Sequence, residues 1–405
     1  MVAAVPRELA PAPQPLGLAP SFGFGDRLGN ATPGHVRALE ATRSGLAPVF
    51  AQQSARELDR TGRTWTDVLD AAAQGVWEAG WTERYGADAD HLRTVEEVEA
   101  ALAAGFTMFT LDPSSHVDLD APGASGAELE RRVRELPWEA LEDDWAALRR
   151  RYAGTVGEVE LARAIATWGA ALAHVVALGR PLAGRAVDLE VSVDETPWPT
   201  SPDDLRVLVG ELRRLGVRFT SLAPRFPGSW QKGVDVEIDP GALEGALAVH
   251  AALAADRGPY KLSIHSGSDK FSVYPVFAAL SELPLHVKTS GTSYLEALRV
   301  VARVEPEAFR AVLAVARAGF ERARAGYFLG DTAGVPDAAA LGDDELPSLL
   351  DDPGTRQGLH VTFGGVWAEP ELRERLRHVL EGARGAYHDG LATHLAAHLA
   401  PLAAA

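Results

Sequence analysis

Short apolar runs recur along the chain, and each run ends on polar residues. Most are followed by a segment with helical periodicity, so that strands and helices alternate. The predicted strands are Ser21–Arg27, Pro48–Gln53, Gly86–His91, Phe106–Asp112, Val187–Asp194, Val217–Arg225, Tyr260–His265 and Leu285–Thr289. Eight strands that alternate with helices predict an α/β fold, a TIM-like (β/α)8 barrel, with a doubly wound open sheet as the main alternative.

Helix ends are well marked between several of these strands. Thr94-Val-Glu-Glu97 has the pattern of a capping box, and Gly105 ends the helix that it opens. Ser201 is followed by a proline and two acids, which indicates a second helix start, and Gly216 ends that helix.

Two stretches depart from the alternation. Residues 121–182 carry three helical patterns and predict a helical insertion after the fourth strand. Residues 327–357 are acidic and rich in proline and glycine, which predicts a long surface excursion. A further strand is predicted at Leu359–Phe363, so that the barrel domain covers residues 21–365 and a C-terminal helical extension covers 366–405.

The first 20 residues are rich in alanine and proline and lack the charged start and apolar core of a signal peptide, so we expect a flexible N-terminal tail. No run of about 18 apolar residues predicts a membrane span. These features favour a cytoplasmic protein that has no membrane partner.

Composition narrows the chemistry. Apolar residues make up 46% and charged residues 23% of the 405 residues, which is typical of a soluble globular protein. The formal net charge of −17 argues against a nucleic-acid partner, because the phosphate backbone would be repelled. There is no cysteine, so any metal must be bound by histidine and carboxylate side chains. Such ligands favour zinc, manganese, iron or cobalt in an open catalytic site.

The segment Tyr260–Tyr274 carries the strongest functional signal. It begins as a buried strand and ends with a group of polar side chains around Gly267, namely His265, Ser266, Ser268, Asp269 and Lys270. In a barrel of alternating strands and helices, the carboxyl ends of the strands are where active sites form.

Two other predicted strands end in acidic groups. Asp88, Asp90 and His91 share the end of the third strand, and alternation places the two aspartates on one face and the histidine on the other unless the strand stops before it. On the fifth strand, Asp188, Glu190, Ser192 and Asp194 share one face. A line of buried carboxylates requires cations or a metal, because uncompensated burial of charge is costly.

Each of these clusters has a simpler explanation, since a histidine at a strand end is often structural and a polar strand face can lie in solvent. Three clusters at one mouth of a parallel barrel nevertheless favour a metal site. His91, Glu190 and His265 are the predicted ligands, and they leave room for substrate oxygens.

The remaining candidates follow from charge and position. Asp112 and Asp194 end strands and are the predicted acid/base catalysts. Arg225 is the predicted clamp for a substrate carboxylate, and Lys232 is a weaker candidate. Other predicted substrate-binding residues are Gln52, Gln53, Asp269, Lys270, Lys288 and His360.

Three further signals carry less weight. His394 and His398 have a spacing that can form a metal pair on a helix, but they are predicted to lie at the surface of the terminal helix. His116 is predicted on an active-site loop. The glycines near residue 25 miss the dinucleotide-binding spacing, so a nicotinamide cofactor is not expected.

At these motifs the chain resembles the tagaturonate epimerase family. The stretches that carry the resemblance are Ser21–His35, Pro48–Ser54, Gly86–His91, Gly105–Pro113, Val193–Thr196, Lys261–Lys270 and His286–Arg299. The resemblance implies a TIM-like barrel, a divalent metal and exchange of D-tagaturonate with D-fructuronate. It also implies that the metal ligands fall on His91, Glu190 and His265. Zinc is the first expectation, with manganese, iron, cobalt or nickel as alternatives.

The expected partner is therefore a small-molecule sugar acid, and a homo-oligomer is possible. Inversion at C4 by retro-aldol cleavage and reclosure is the preferred route, because the C4 hydrogen is not acidified by the C2 ketone. The alternatives are a metal-dependent aldolase, a C4-epimerase of neutral ketohexoses and a non-catalytic sugar-acid binding protein.

Overall fold

The barrel is the framework of the molecule. The structure, a computed structural model, describes residues 10–279, 283–325, 327, 329 and 333–403. Among these residues, eight parallel strands follow one another around a closed barrel, in which the last strand pairs with the first. They are β1 (Ser21–Gly25), β2 (Ala47–Ser54), β3 (Gly86–Leu92), β4 (Met108–Leu111), β5 (Asp188–Val193), β6 (Ser221–Pro224), β7 (Lys261–Ile264) and β8 (Leu285–Thr289). The predicted TIM-like barrel is confirmed, and an open sheet is excluded.

Helices cover the outside of the barrel. In chain order they are α1 (Thr32–Thr42), α2 (Ala55–Thr61), α3 (Trp65–Glu78), α4 (Val95–Ala104), α5 (Gly126–Arg134), α6 (Trp145–Tyr152), α7 (Glu158–Gly179), α8 (Pro202–Arg214), α9 (Pro240–Arg257), α10 (Tyr274–Ala279), α11 (Thr292–Val304), α12 (Pro306–Arg324), α13 (Pro353–Ala368), α14 (Pro370–Gly382) and α15 (Arg384–Leu399). The predicted helix starts are confirmed, because Thr94 and Ser201 both form capping boxes.

The segment between β4 and β5 is where the sequence predicts an insertion, and it contains α5, α6 and α7. Helix α7 packs between α4 and α8, so it takes the place of the barrel's own fourth helix. By length and composition alone, the stretch Glu158–Leu182 could cross a membrane, but 61% of its most apolar window is buried inside the fold. Its apolar character is therefore explained by packing against the barrel.

The predicted strand Leu359–Phe363 is wrong. These residues lie inside α13, which Asp352 caps by accepting a hydrogen bond from the Thr355 N–H group. The whole segment is buried, and a short buried apolar run has no periodicity that distinguishes a strand from a helix. The domain boundary predicted at residue 365 also falls inside this helix. Of the predicted surface excursion at 327–357, residues 328 and 330–332 lie outside the described residues.

Polar side chains fill much of the barrel interior. Outward-facing residues such as Phe22, Leu189 and Ile264 join the apolar layer beneath the helices. Inside, the Lys261 ammonium on β7 reaches the Ser21 hydroxyl on β1 at 3.1 Å. Barrel interiors are usually filled by branched apolar side chains, so this polar filling indicates that the interior supports a charged site.

Part of the predicted N-terminal tail is fixed. Residues 1–9 lie outside the described residues, whereas the expectation of a loose tail does not hold for residues 10–20. The Leu16 N–H group donates to Asp188 Oδ2 at 2.6 Å, and the Gly17 N–H group donates to Asp188 Oδ1 at 3.0 Å. Tyr85 adds a hydrogen bond from its hydroxyl to the Pro11 carbonyl oxygen at 2.7 Å. This segment therefore covers the amino-terminal end of the barrel.

Replacement of Asp188 tests that contact. We expect Asp188→Ala to lower the free energy of unfolding by about 2–4 kcal/mol, because the buried Leu16 N–H group and the half-buried Gly17 N–H group lose their acceptor. Asp256→Ala, which removes an exposed carboxylate near the end of α9, should change it by less than about 0.5 kcal/mol. Urea denaturation of both variants measures the difference, and equal stabilities would contradict the role of Asp188.

Candidate active site

A cavity of about 610 Å³ opens at the carboxyl ends of the strands. Six of the twelve predicted site residues line it, namely Gln52, His91, Asp194, Arg225, His265 and His360. Its wall also contains residues that the sequence analysis did not assign to the site, among them Arg27, Asp90, Arg93, Glu195, Trp230 and Ser290. The strand-end clusters therefore meet at one mouth, as the barrel topology predicts.

Lys288 joins the strand-end carboxylates below this cavity. Its ammonium lies 2.7 Å from Asp88 Oδ2, 2.8 Å from Asp90 Oδ1 and 2.7 Å from Glu190 Oε1. Although burial lowers it, these carboxylates raise the pKa of Lys288 well above its usual range. The ammonium is occupied by protein groups, so Lys288 supports the site from beneath and does not line the cavity as the substrate-binding residue that was predicted.

An irregularity in β3 directs the His91 side chain towards the cavity at the mouth of the barrel. The pairing of β3 with β4 shifts register between Ala89 and Leu92, and His91 has a positive φ of 53°. A non-glycine residue rarely adopts this conformation, and such irregularities in strands are common beside active sites. The irregularity replaces the simple alternation that would place His91 and Asp90 on opposite faces. The His91 Nε2 atom lies 3.9 Å from Asp90 Oδ1.

His265 faces two acidic groups. Its Nε2 atom lies 2.5 Å from Glu190 Oε1, and its Nδ1 atom lies 3.5 Å from Asp194 Oδ1. Although burial lowers it, the neighbouring carboxylates raise the pKa of His265 to about 10. The ring of His91 meets that of His265 edge to face, with 4.9 Å between the ring centroids. The two imidazoles are thus adjacent in a strongly negative environment.

These groups fit a divalent metal. Ligand atoms of Asp90, His91 and His265 all lie within 4.8 Å of one another. The cluster has four carboxyl groups, including Asp194, but one lysine ammonium, so a further positive charge would compensate it. Two imidazole nitrogens and one carboxylate oxygen form a donor set that suits zinc and neighbouring transition metals.

Glu190 lies beside the predicted ligand His265, and its own ligand role stays a prediction. It contacts His265 and Lys288, and Ser221 Oγ donates to its Oε2 atom at 2.6 Å. Among the described residues, the carboxylate whose ligand atom lies within 4.8 Å of both imidazoles is that of Asp90 and not that of Glu190. The geometry therefore favours Asp90 as the carboxylate ligand and places Glu190 beneath it.

Asp112 is placed behind His91 and not in the cavity wall. Its Oδ2 atom lies 3.1 Å from His91 Nδ1 and accepts a hydrogen bond from Arg93 Nε at 2.8 Å. The Ser114 N–H group donates to the Oδ1 atom at 2.9 Å. A fully enclosed carboxylate of this kind orients the imidazole and fixes its tautomer, which differs from the predicted acid/base role.

The two glutamines separate. Gln52 lines the cavity and donates from Nε2 to Asp90 Oδ2 at 3.2 Å. Gln53 does not line the cavity and instead lines a small pocket beside Asp26 and Arg63, which Gln52 also touches. Strand alternation explains the difference, because neighbouring residues on β2 face opposite sides. The predicted hydroxyl-binding role is therefore geometrically open to Gln52 and not to Gln53.

Asp269 belongs to a buried network and not to the cavity wall. Its carboxylate lies 2.8 Å from Arg356 NH2 and 2.6 Å from His394 Nε2, and its N–H group donates to His398 Nε2 at 2.9 Å. His398 is 0% exposed, so its predicted surface position is wrong. The network ties the loop that carries His265 to α13 and α15. His394 Nε2 donates to the Asp269 carboxylate and His398 Nε2 accepts from the Asp269 N–H group, so these nitrogens already have hydrogen-bond partners in the protein.

Lys270 is also withdrawn from the substrate. Its ammonium donates to the carbonyl oxygens of Gln231 at 2.8 Å, Ser268 at 2.9 Å and Val234. Burial lowers its pKa to about 7 although Asp269 raises it. The predicted substrate contact is thus replaced by a contact that joins two loops.

His360 reaches the cavity from a helix. Arg27 donates from NH1 to the His360 carbonyl oxygen at 3.1 Å, and its NH2 group lies 3.2 Å from His360 Nε2. Glu57 accepts from Arg27 Nε at 2.7 Å, and the guanidinium lies 3.8 Å from the centre of the Phe363 ring. Arg27 lies in one of the stretches that resemble the family, and Glu57 completes a capping box with Ser54, but neither pattern predicts that the two side chains pair beside His360.

Asp90 is the site residue that a closer reading of the sequence could have identified. It lies two residues after Asp88 on the same strand and directly before His91. The sequence shows Asp88, Asp90 and His91 as a polar cluster at a strand end. It does not show the irregularity of β3 that brings the side chains of Asp90 and His91 together.

Known proteins share this architecture over most of the chain. A family model described as tagaturonate epimerase matches residues 3–402. A tagaturonate/fructuronate epimerase from Thermotoga maritima is 44% identical over 395 residues, which are 95% of this chain and 80% of that protein. The native crystal structure of fructuronate-tagaturonate epimerase UxaE from Cohnella laeviribosi superposes with a TM-score of 0.89 at 38% identity and covers 96% of this chain and 83% of that one. A glycerol complex of the same enzyme gives a TM-score of 0.88 over the same shares. The chain belongs to the tagaturonate epimerase family.

Proposed function

We propose that this protein interconverts D-tagaturonate and D-fructuronate by inverting C4, with a divalent metal at the mouth of the barrel. The observation that carries the proposal is the cluster of Asp90, His91 and His265 in the cavity of a chain that belongs to this family. The cavity is large enough for a six-carbon sugar acid, since its volume is about 610 Å³. Zinc as the native metal, a cytoplasmic location and a homo-oligomer stay predictions.

His91, His265 and Asp90 would hold the metal, and Glu190 is the alternative carboxylate. When bound, such an ion acts as a Lewis acid that stabilises negative charge on sugar oxygens. Asp112 Oδ2 lies 3.1 Å from His91 Nδ1 and so fixes the orientation of that imidazole.

The reaction requires a carboxylate that moves the C4 hydroxyl proton. In these ketoses C4 lies β to the C2 carbonyl, so retro-aldol cleavage of the C3–C4 bond begins with loss of that proton. Asp194 lines the cavity, and Ser192 Oγ donates to its Oδ1 atom at 2.6 Å. Although burial raises it, the adjacent His265 holds the pKa of Asp194 well below its usual range, so its carboxylate is ionised. We infer that Asp194 takes the C4 hydroxyl proton as the C3–C4 bond breaks. The resulting aldehyde rotates so that its opposite face is turned towards C3, and Asp194 returns the proton to the C4 oxygen when the bond forms again.

Arg225 contributes to binding of the substrate carboxylate. It lines the cavity at the end of β6, and its guanidinium has no carboxylate partner within the described part of the chain. A guanidinium that faces a cavity without a protein carboxylate is suited to bind one from a ligand.

Metal removal and two carboxylate variants test the ligand assignment. Chelation should abolish epimerisation, and added divalent metal should restore it. Asp90→Asn should weaken metal binding by at least about tenfold, whereas Glu190→Gln should change it by less than about fivefold. Calorimetric titration of both apo variants with Zn²⁺ measures this. The reverse order would assign the ligand role to Glu190, and full activity without metal would refute the metal site.

Asp194→Asn tests the proton transfer. The amide cannot accept the hydroxyl proton, so we expect kcat to fall by about 10²- to 10⁴-fold with metal content unchanged. Asp256→Asn provides a control for loss of an exposed carboxylate. A kcat within threefold of the wild type would exclude Asp194 as the base.

Turnover in D₂O separates the chemical routes. Retro-aldol cleavage and reclosure keeps the C4–H bond, so the epimerised product should carry no deuterium at C4 when examined by NMR. Deuterium at C4 would instead demonstrate direct proton exchange at that carbon.

A further inference from the structure

Lysine is rare in this chain. Of the 39 basic residues, four are lysine and the remaining 35 are arginine, and all four lysines lie between residues 232 and 288. The side chains differ in shape, because an ammonium is a compact charge with three donors and a guanidinium is a wide, planar fork. Because this chain uses arginine for most of its cations, we infer that each lysine stands where a compact ammonium makes specific contacts.

Three of the lysines make such contacts within the protein. Lys288 contacts three carboxylates, Lys270 donates to three carbonyl oxygens, and Lys261 reaches a hydroxyl inside the barrel. All three are buried. The fourth, Lys232, is half-buried and lines the active-site cavity.

Lys232 carries a positive charge that no carboxylate of the described residues neutralises. Its ammonium donates to Ser266 Oγ at 3.2 Å, one residue after His265. Most of the cavity's arginines are already paired: Arg27 with Glu57, Arg56 with Glu195, and Arg93 with Asp112 and Glu195. Lys232 and Arg225 are therefore the cavity cations that are available to an anionic ligand.

The turn that presents Lys232 is held from behind. We name residues 231–234 the lysine turn. Lys270 binds the carbonyl oxygens at both of its ends, those of Gln231 and Val234. Helix α13 adds a hydrogen bond from Gln357 Nε2 to Gln231 Oε1 at 2.7 Å. Without the Lys270 ammonium, two carbonyl oxygens would lose their donor. The lysine turn would then lose its link to the β7 loop, residues 265–273, which follows β7 and carries His265.

We propose that Lys232 binds the carboxylate of the sugar acid and that Lys270 positions it by holding the lysine turn. This inference rests on the proposed function, because it takes the ligand to be a hexuronate. A neutral ketohexose has a hydroxymethyl group in place of that carboxylate and gains nothing from the charge. Lys232 thus adds to Arg225 in determining specificity for the acid, and Lys270 acts through Lys232 without touching the substrate.

Variants of Lys232 test the contact. Lys232→Met should lower kcat/KM for D-tagaturonate by about 10- to 100-fold, the effect of one charge-assisted hydrogen bond. The rate with D-tagatose, assayed at high enzyme concentration, should stay within threefold. Lys232→Arg keeps the charge but not the compact shape, so it should keep the preference for the acid with a lower kcat/KM than the wild type. Arg322→Met, which removes an exposed charge on α12, controls for the effect of net charge on an anionic substrate.

Variants of Lys270 test the positioning. Lys270→Met should reproduce the loss of preference seen in Lys232→Met, and the double variant should be no worse than either single one, because both act through the same contact. Hydrogen exchange of the lysine turn should become faster in Lys270→Met and stay unchanged in Lys232→Met. This second readout separates loss of positioning from loss of the fold.

Several results would overturn the inference. Lys232→Met within threefold of the wild type on tagaturonate would exclude the contact, and equal losses on both sugars would assign Lys232 to the reaction centre. Multiplicative losses in the double variant, or unchanged exchange of the lysine turn in Lys270→Met, would exclude the positioning. Failure of the proposed function is seen separately, as absence of tagaturonate epimerisation by the metal-loaded wild type.

Discussion

The compensation of buried negative charge is the constraint on which the rest of this structure depends. Asp88 and Asp90 on β3 and Glu190 on β5 point into the barrel and share one ammonium, that of Lys288. Carboxylates that are so close and so buried are stable only with compensating cations, since desolvation of each charge is costly. Lys288 beneath these carboxylates and the proposed metal above them would satisfy that requirement together. The polar barrel interior is thus explained by the site that it supports.

Distant parts of the chain hold the loops around this centre. The β7 loop carries His265, and Asp269 in the same loop is bound by Arg356 on α13 and by two histidines on α15. The next residue, Lys270, ties the loop to the segment that carries Lys232. The C-terminal helices therefore do more than cover the barrel, because they fix the position of the catalytic loop. Preorganisation of this kind is what a site needs when charge develops during the reaction.

The fold was largely predictable from the sequence, whereas the site was predictable only in outline. Alternating apolar runs and helix caps such as Thr94 are local signals, and they gave all eight strands. The helix at Leu359–Phe363 was missed because full burial removes periodicity. The strand ends identified His91, His265 and Asp194 as cavity residues. The sequence could not show that His91 adopts a left-handed backbone conformation beside Asp90, because that depends on pairing between β3 and β4.

The same limit explains why residues next to one another in the sequence have different roles. Asp269 and Lys270 follow His265 closely, but tertiary contacts with helices and loops far along the chain withdraw both from the cavity. The central claim, that the carboxylate-rich mouth holds a metal, is tested most directly by anomalous diffraction from crystals of manganese-loaded protein. We predict one strong peak bound by His91, His265 and Asp90. A peak at Asp269 and His394 instead, or no peak at the mouth, would contradict it.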